Sequence, residues 1–447
     1  MDQPALFAEL PPAVEPATRV TLPQEARVRR PMREQVEWLP RSLDSLLDPD
    51  HPARAIWALL ERLDLSGFYV SIKSVMGQAG RPASDPQVLL ALWLLATTEG
   101  IGSARQLDRL CHEHDAYRWL RGGVPVDYHM LSDFRVSHQQ ELDELLTQIV
   151  GSMMAEGLVS LERVAQDGMR TRASAGASSF RREQRLQECL VQAREQVKRL
   201  TQEREHPDSG VSRRQQGAKE RAARERQSRV EAALSHLVEV KATKERQKKS
   251  LAKDKRDKVT EPRVSTTDPE ARVMKMPGGG YRPALNLQVA TDVASQVIVG
   301  VGVTNQSNDG AQAVPMVEQV QARTKQLPAV YLMDGDFATR EAITALGGQG
   351  MAVYAPTQSP RSETSGRGRA DPRRDDTEEV AAWRVRMETE EAKEVYKGRA
   401  ATAECTNAHL RRYGFYQLLV RGIHKALSVL LLAAIAHDLL RWIALRG

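Results

Sequence analysis

The sequence predicts an α/β protein. A mixed sheet flanked by helices follows an all-α segment, and a long helical insertion interrupts it after the first strand. Three observations carry this prediction. Apolar residues recur at helical spacing over residues 37–158. A charge-rich block at 180–258 keeps helical spacing, with an apolar stripe at Leu186, Leu190, Val197 and Leu200. From residue 284 the pattern turns to period two with β-branched residues, then alternates strand-like and helix-like runs. The 447 residues are 41% apolar and 27% charged, enough for a sizeable core, which excludes wholesale disorder. Three cysteines (Cys111, Cys189, Cys405) are widely spaced and odd in number. They exclude a disulfide scaffold and a CxxC-type zinc site, and fit a reducing compartment.

Residues 1–36 are Pro-rich and polar, and read as a flexible arm. They have no basic start followed by an apolar run, so no signal peptide is expected. Residues 37–158 read as a helical domain for DNA binding or dimerisation. In PASDPQVLLALWLLATTEGI, Ser84 or Asp85 offers a cap, Pro86 suits the first turn and Gly100 sits near the end. SARQLDRLCHEHDAYRWL reads as a second helix capped by Ser103. Ser132 or Asp133 is the expected cap of a third, running to about Ala155. Three helices with short turns resemble a helix-turn-helix-like bundle, which serves either for reading DNA or for packing. LERVAQDG (161–168) reads as a short strand.

The block 180–258 reads as two antiparallel helices joined at HPDSG. Within it, Arg181–Lys258 holds 23 Lys/Arg against 13 Asp/Glu, a net of +10. The remainder, 41 basic against 45 acidic, carries −4 of the chain's net +6. A localised positive excess is the footprint of a polyanion binder, although any long solvated helix also carries mixed charge. ALNLQVATD and VIVGVGVT then read as a hairpin, Ala311–Lys325 as a helix, AVYLMD as a strand, ATREAITAL as a helix and MAVYAP as a strand. A polar loop spans 359–376, and helices run from about Glu390 to the end with a break near Tyr413 and Gly414. The longest apolar run, Ala426–Ala436, is shorter than the ~20 residues that span a bilayer, so a helix packed on the sheet and a soluble, cytoplasmic protein are expected.

With the insertion set aside, the order is strand, strand, strand, helix, strand, helix, strand, helix. By analogy that is the order of a ribonuclease-H-like catalytic domain, here residues 159–447 with 180–258 inserted. Such a sheet gathers its site at the carboxyl ends of strands. Asp167 ends the first strand, Asp334 ends the strand after the hairpin and helix, and Glu404 lies in the first helix after the last strand. Three converging carboxylates repel one another unless a hard cation such as Mg²⁺ or Mn²⁺ lies between them. Asp336 competes with Asp334, being two residues on. Asp292 and Asp309 have structural readings as a hairpin-turn residue and a helix cap.

Over residues 33–445 the chain resembles the DDE transposases of bacterial insertion sequences, in the branch with a Tyr–Arg–Glu signature. The likeness rests on EWLPRSLDSLLDPDHPARAIWALLERLDLSGFY and GRPASDPQVLLALWLLATTEGIGSARQLDRLCHEHDAYRWLRGGVPVDYHMLSDFR. It continues in VAQDGMRTRASAGASSFRR, DPEARVMKMPGGGYRPALNLQVATD, VTNQSNDGAQAVPM, YLMDGDFATREAI and YKGRAATAECTNAHLRR. It implies that Asp167, Asp334 and Glu404 are catalytic metal ligands, although Asp336-Phe337 stands where the family has Gly-Tyr. It implies that Tyr396, Arg399 and Arg411 meet DNA, with one residue more between Arg399 and Glu404 than the family spacing. Arg170 and Arg172, beside the first aspartate, are further candidates for DNA contacts.

The resemblance also implies two divalent ions (Mg²⁺ or Mn²⁺) and in-line phosphoryl transfer on double-stranded DNA at the element's terminal repeats and its target. It further implies at least a homodimer in the synaptic complex and work at the bacterial nucleoid. Two alternatives share these residues: a nuclease of the same fold that cuts without joining, and an inactive, domesticated DNA-binding protein.

Overall fold

A computed structural model describes residues 40–74, 82–205, 212–250, 256, 259–357 and 371–446. The arm at 1–36, the HPDSG turn and most of the loop at 359–376 lie outside these residues. The chain divides into a unit of residues 1–42 and a unit of residues 43–447. In the first, the described residues 40–42 are exposed.

Six helices come first: α1 (Pro52–Leu60), α2 (Pro86–Thr98), α3 (Ala104–Glu113), α4 (Asp115–Arg121), α5 (Tyr128–Ser137) and α6 (Gln139–Ala155). Helix α2 starts where its caps dictate, with the Asp85 carboxylate accepting from Gln87 N–H and Pro86 in the first turn. It is apolar on all sides and almost wholly buried. The indole of Trp93 donates to the Leu131 carbonyl at 2.9 Å. Two sequence expectations shift here. SARQLDRLCHEHDAYRWL forms two helices, because the His114 Nδ1 accepts from Ala116 N–H and starts α4 anew. Ser132 and Asp133 cap nothing and lie inside α5, because Asp127 already caps it by accepting from both His129 and Met130 N–H.

Strand β1 (Arg163–Arg172) leads into the charged hairpin of α7 (Glu183–Glu205) and α8 (Arg213–Ser250). A two-residue pair, β2 (Phe180–Arg181) with β3 (Val264–Ser265), closes the base of this hairpin, so the insertion leaves and returns at one point. Leu186, Ala233, Leu237 and Val264 form its small apolar seam. Ion pairs such as Arg194–Glu231 (3.1 Å) cross it; exposed pairs of this kind stabilise by only about 0–1 kcal/mol each.

The sheet continues with β4 (Arg272–Lys275), β5 (Tyr281–Asp292), β6 (Ile298–Thr304), β7 (Val330–Leu332) and β8 (Ala352–Tyr354). Among the described residues, its order is β4-β5-β1-β7-β8, with β6 also on β5. Strands β1, β7 and β8 are parallel, while β5 runs antiparallel to β1, β4 and β6. Helices α9 (Ala313–Thr324) and α10 (Arg340–Gly348) connect β6, β7 and β8. The C-terminal part holds α11 (Glu378–Met387), α12 (Glu390–Arg412) and α13 (Ile423–Leu445). Helix α11 was not expected, and it makes Glu404 a residue of the second helix after the last strand.

One apolar core runs from Ala53 to Trp442 and includes residues of α2, α6, the sheet and α13. Arg323 of α9 ties the sheet to α6. It is nearly buried and donates to the Asp143 carbonyl and carboxylate and to Thr147 Oγ1 at 2.6–3.0 Å. Gly100 after α2 has φ +74°, and a Cβ there would lie 2.7 Å from the Arg412 carbonyl, so only glycine allows the two chain segments to meet. Among the described residues, α13 is the one helix long and apolar enough to cross a membrane, and 72% of that stretch is buried against protein.

Helix α13 carries Ser428, His437 and Asp438 into the core. Asp438 accepts the Ile298 N–H at 2.8 Å, where a register shift breaks the β5–β6 ladder. His437 packs its Nε2 on the Gln296 carbonyl (2.8 Å) and its Nδ1 on His409 Nδ1 (3.3 Å). Burial pushes the His437 imidazole down to about 4, and the His409 ring and Arg441 push in the same direction. A group whose folded pKa is depressed stabilises the fold above the unfolded value of about 6.5, and that stability is lost as pH falls toward the folded value. His437→Gln is therefore expected to flatten the loss of stability between pH 7.5 and pH 5 by on the order of 1–2 kcal/mol. Urea unfolding at the two pH values measures this; an unchanged difference would count against the assignment.

Candidate active site

The parallel register of β1 and β7 sets the geometry. Ala165 lies opposite Leu332, so Asp334, two residues past the end of β7, comes beside Asp167. Contrary to the sequence expectation, Asp167 does not end its strand but lies within β1, which runs on to Arg172 because β5 pairs with it that far. Side chains alternate across a strand, so residues two apart share a face. That face is covered by α12, which docks through Thr402, Ala403, Thr406 and Leu410. Thr406 lies 3.3 Å from Thr291, and Thr402 accepts from Gln296 at 3.2 Å.

Two side chains of α12 hold the Asp167 carboxylate. Arg399 Nη2 donates to Oδ1 at 3.0 Å, and Asn407 Nδ2 donates to Oδ2 at 2.7 Å. The same Arg399 nitrogen lies 3.7 Å from Asp334 Oδ2. One guanidinium thus stands between two carboxylates. Burial raises the Asp167 pKa above the ordinary carboxylate value; Arg399 and the Gly168 N–H oppose this, and the charge of Asp334 adds to it. Tyr396 lies beside Arg399, and burial likewise raises its phenol above the usual value, which disfavours a phenolate nucleophile.

The other sequence candidates lie apart from this cluster. Asp336 is exposed and, among the described residues, has no ion pair or hydrogen bond; the turn closed by Phe337 N–H on the Asp334 carbonyl carries it away. Asp292 accepts from Ser295 in the hairpin turn. Asp309 caps no helix: its Oδ1 accepts from Asn286 and Gln288, both at 2.6 Å. Arg170 and Arg172 sit on the face of β1 opposite Asp167, as the period of two requires. Arg170 is tied to the carbonyls of Lys275 and Ser307 at 3.2 and 2.9 Å. Arg411 is exposed on α12.

Glu404 is exposed and has no side-chain partner among the described residues. Arg399 and Asn407 are eight residues apart, about 80° round the helix, so the position aimed between them is Ala403, and Glu404 lies about 60° beyond Asn407. Among the described residues, no three His, Cys, Asp or Glu side chains form a group that could hold a metal ion. The Asp167–Asp334 pair by itself suits one hard divalent cation. Its donors are carboxylate oxygens, and they already converge on a positive charge. Sequence reasoning missed Asn407; its one signal was a spacing of two turns plus one residue from Arg399.

On the opposite face, a buried polar chain anchors β1. Tyr331 donates to Gln166, Gln166 to Gln288, and Gln288 to Asp309, at 2.6, 3.0 and 2.6 Å. Gly168 lies against it: a Cβ there would meet Asp309 Oδ1 at 2.7 Å and Gln288 Nε2 at 2.8 Å. Gly168→Ala is expected to lower stability by roughly 1–3 kcal/mol through overpacking. The urea midpoint reads this directly, and an unchanged midpoint would show that the network yields freely.

A family model described as Transposase domain (DUF772) matches residues 41–137, and one described as Transposase DDE domain matches residues 239–439. No curated protein and no solved structure matches the chain.

Proposed function

The chain belongs to the DDE transposases of insertion sequences, and we propose that it binds its element's DNA ends, cuts them and joins them to target DNA. The observation that carries this reading is the meeting of Asp167 with Asp334 at the carboxyl end of β7, under a helix that brings Arg399, Asn407 and Tyr396. We read the sheet order β6-β5-β1-β7-β8 as ribonuclease-H-like, with residues 159–447 as the catalytic domain and 180–258 inserted in it. Residues 37–158 then serve DNA binding or dimerisation, as an end-pairing enzyme requires at least two copies.

In this reading, water attacks the phosphodiester at the element end and breaks the P–O bond to the 3′ oxygen, which leaves a 3′-OH. That hydroxyl then attacks a target phosphate and displaces its 3′ oxygen. Asp167 and Asp334 would hold a divalent cation, Mg²⁺ or Mn²⁺, with Glu404 as the third carboxylate and a second ion in the full assembly. Such ions neutralise charge on the phosphate and on the attacking and leaving oxygens. Asn407 fixes one oxygen of Asp167, leaving the carboxylate a single orientation. Arg399 and Arg411 offer guanidinium groups to the DNA backbone, and Tyr396 lines the approach. The α8 helix supplies most of the hairpin's positive excess and offers it to the duplex beyond the site. The protein would work in the cytoplasm, at the nucleoid.

A second reading, a DNA-binding member of the family that does not cut, is favoured by the exposed and unpartnered Glu404. Strand cleavage and strand transfer on DNA carrying the element's own ends, with Mg²⁺ and with EDTA, separate the two. Wild type is expected to free 3′-OH ends and join them. Asp167→Asn, Asp334→Asn and Glu404→Gln should each lose at least about 10³-fold, the scale of losing one electrostatic partner of a transition state, while Asp336→Asn keeps activity. Binding without cleavage would favour the second reading. Cleavage without joining would make the protein a nuclease.

A further inference from the structure

We propose that Arg399 is an internal counter-cation that occupies the place between Asp167 and Asp334, so that this arginine and a divalent cation exclude one another there. The inference rests on the reading above in one respect, that a divalent cation binds these two carboxylates.

Four observations carry it. A single nitrogen, Nη2, serves both carboxylates, at 3.0 Å from Asp167 and 3.7 Å from Asp334. That nitrogen stands where an ion bridging the two would be coordinated. Second, the guanidinium is incompletely held. Its Nε is buried with no hydrogen-bond acceptor, and it makes no two-pronged fork with either carboxylate. A single-pronged hold leaves a guanidinium easier to displace than a two-pronged fork would.

Third, the docking of α12 does not depend on Arg399. Asn407 grips the other oxygen of Asp167, and Thr402 and Thr406 bond to Gln296 and Thr291. The side chain can therefore leave while the helix stays. Fourth, the charges demand one cation or the other. Two neighbouring carboxylates repel when nothing positive lies between them, and a divalent ion beside a retained arginine would put three positive charges on two negative ones. The arginine side chain is mostly buried with Tyr396 beside it, while Asp334 next to it is about half exposed. A released guanidinium therefore faces the side from which a DNA phosphate would come.

Electron paramagnetic resonance of free Mn²⁺, titrated into the full chain without DNA, reads the exchange. Arg399→Gln is expected to tighten Mn²⁺ binding about tenfold or more, the scale on which groups beside a metal ligand tune affinity. Arg399→Lys keeps the charge and should stay near wild type, and Asp167→Asn should abolish the site. A second measurement needs no variant. Phenylglyoxal modification of wild type, followed by peptide mass spectrometry, should show Arg399 becoming several-fold more reactive when Mn²⁺ is added. Unchanged or weaker Mn²⁺ binding in Arg399→Gln, or unchanged Arg399 reactivity, would overturn the exchange while leaving the metal reading intact. Undiminished Mn²⁺ binding in Asp167→Asn would overturn the metal reading, and this inference with it.

Discussion

The parallel register of β1 and β7 places Asp167, within β1, and Asp334, just past the end of β7, two residues beyond the same rung and on one face. Strand β1 cannot slip to relieve their repulsion. It is paired along its length with β5 on the other side, and a slip of one residue would send Asp167 to the opposite face. The chain Tyr331–Gln166–Gln288–Asp309 adds a second lock, because each buried amide would lose its partner if the strands moved. The acids are thus held together by a scaffold that does not benefit from their proximity.

Helix α12 is the compensating element. It covers the site face and delivers one positive group and one neutral amide to the two oxygens of Asp167. The burial that this covering causes also raises the pKa of Asp167. A buried carboxylate beside a like charge, with one guanidinium between them, is the electrostatic arrangement on which the proposed cation site rests. The C-terminal helix α13 packs against β6, α6 and α2, so the N-terminal helices and the sheet share one core.

Much of this was legible in the sequence, for identifiable reasons. Strand β5 alternates because its two faces differ, with Leu285, Leu287 and Val289 on one and Asn286 and Gln288 bonded to Asp309 on the other, and Asp167 was picked as the acid of LERVAQDG. The acids on β1 and β7 could be paired because strand ends in such sheets converge. What was hidden depended on tertiary structure. The face of Arg170 follows from counting by twos from Asp167, yet its carbonyl partners on β4 and the β6–α9 loop are more than 100 residues away. Helix α11 follows a polar loop and has no strong apolar stripe. Asn407 is a neutral amide among many, and only the position of α12 gives it a task. Glu404 was chosen by motif spacing, and the turn of the helix aims Ala403 where the motif led one to expect a carboxylate.

The central claim is that Asp167 and Asp334, 167 residues apart in the chain, share one cation position. Oxidative self-cleavage by bound Fe²⁺ tests it most directly. Fe²⁺ replaces Mg²⁺ or Mn²⁺ at oxygen sites, and with ascorbate and peroxide it cuts the backbone beside its own ligands. The account predicts two cuts, one within a few residues of Asp167 and one within a few residues of Asp334, both suppressed by excess Mg²⁺. Cuts at only one of these places, or cuts elsewhere that Mg²⁺ does not suppress, would contradict it.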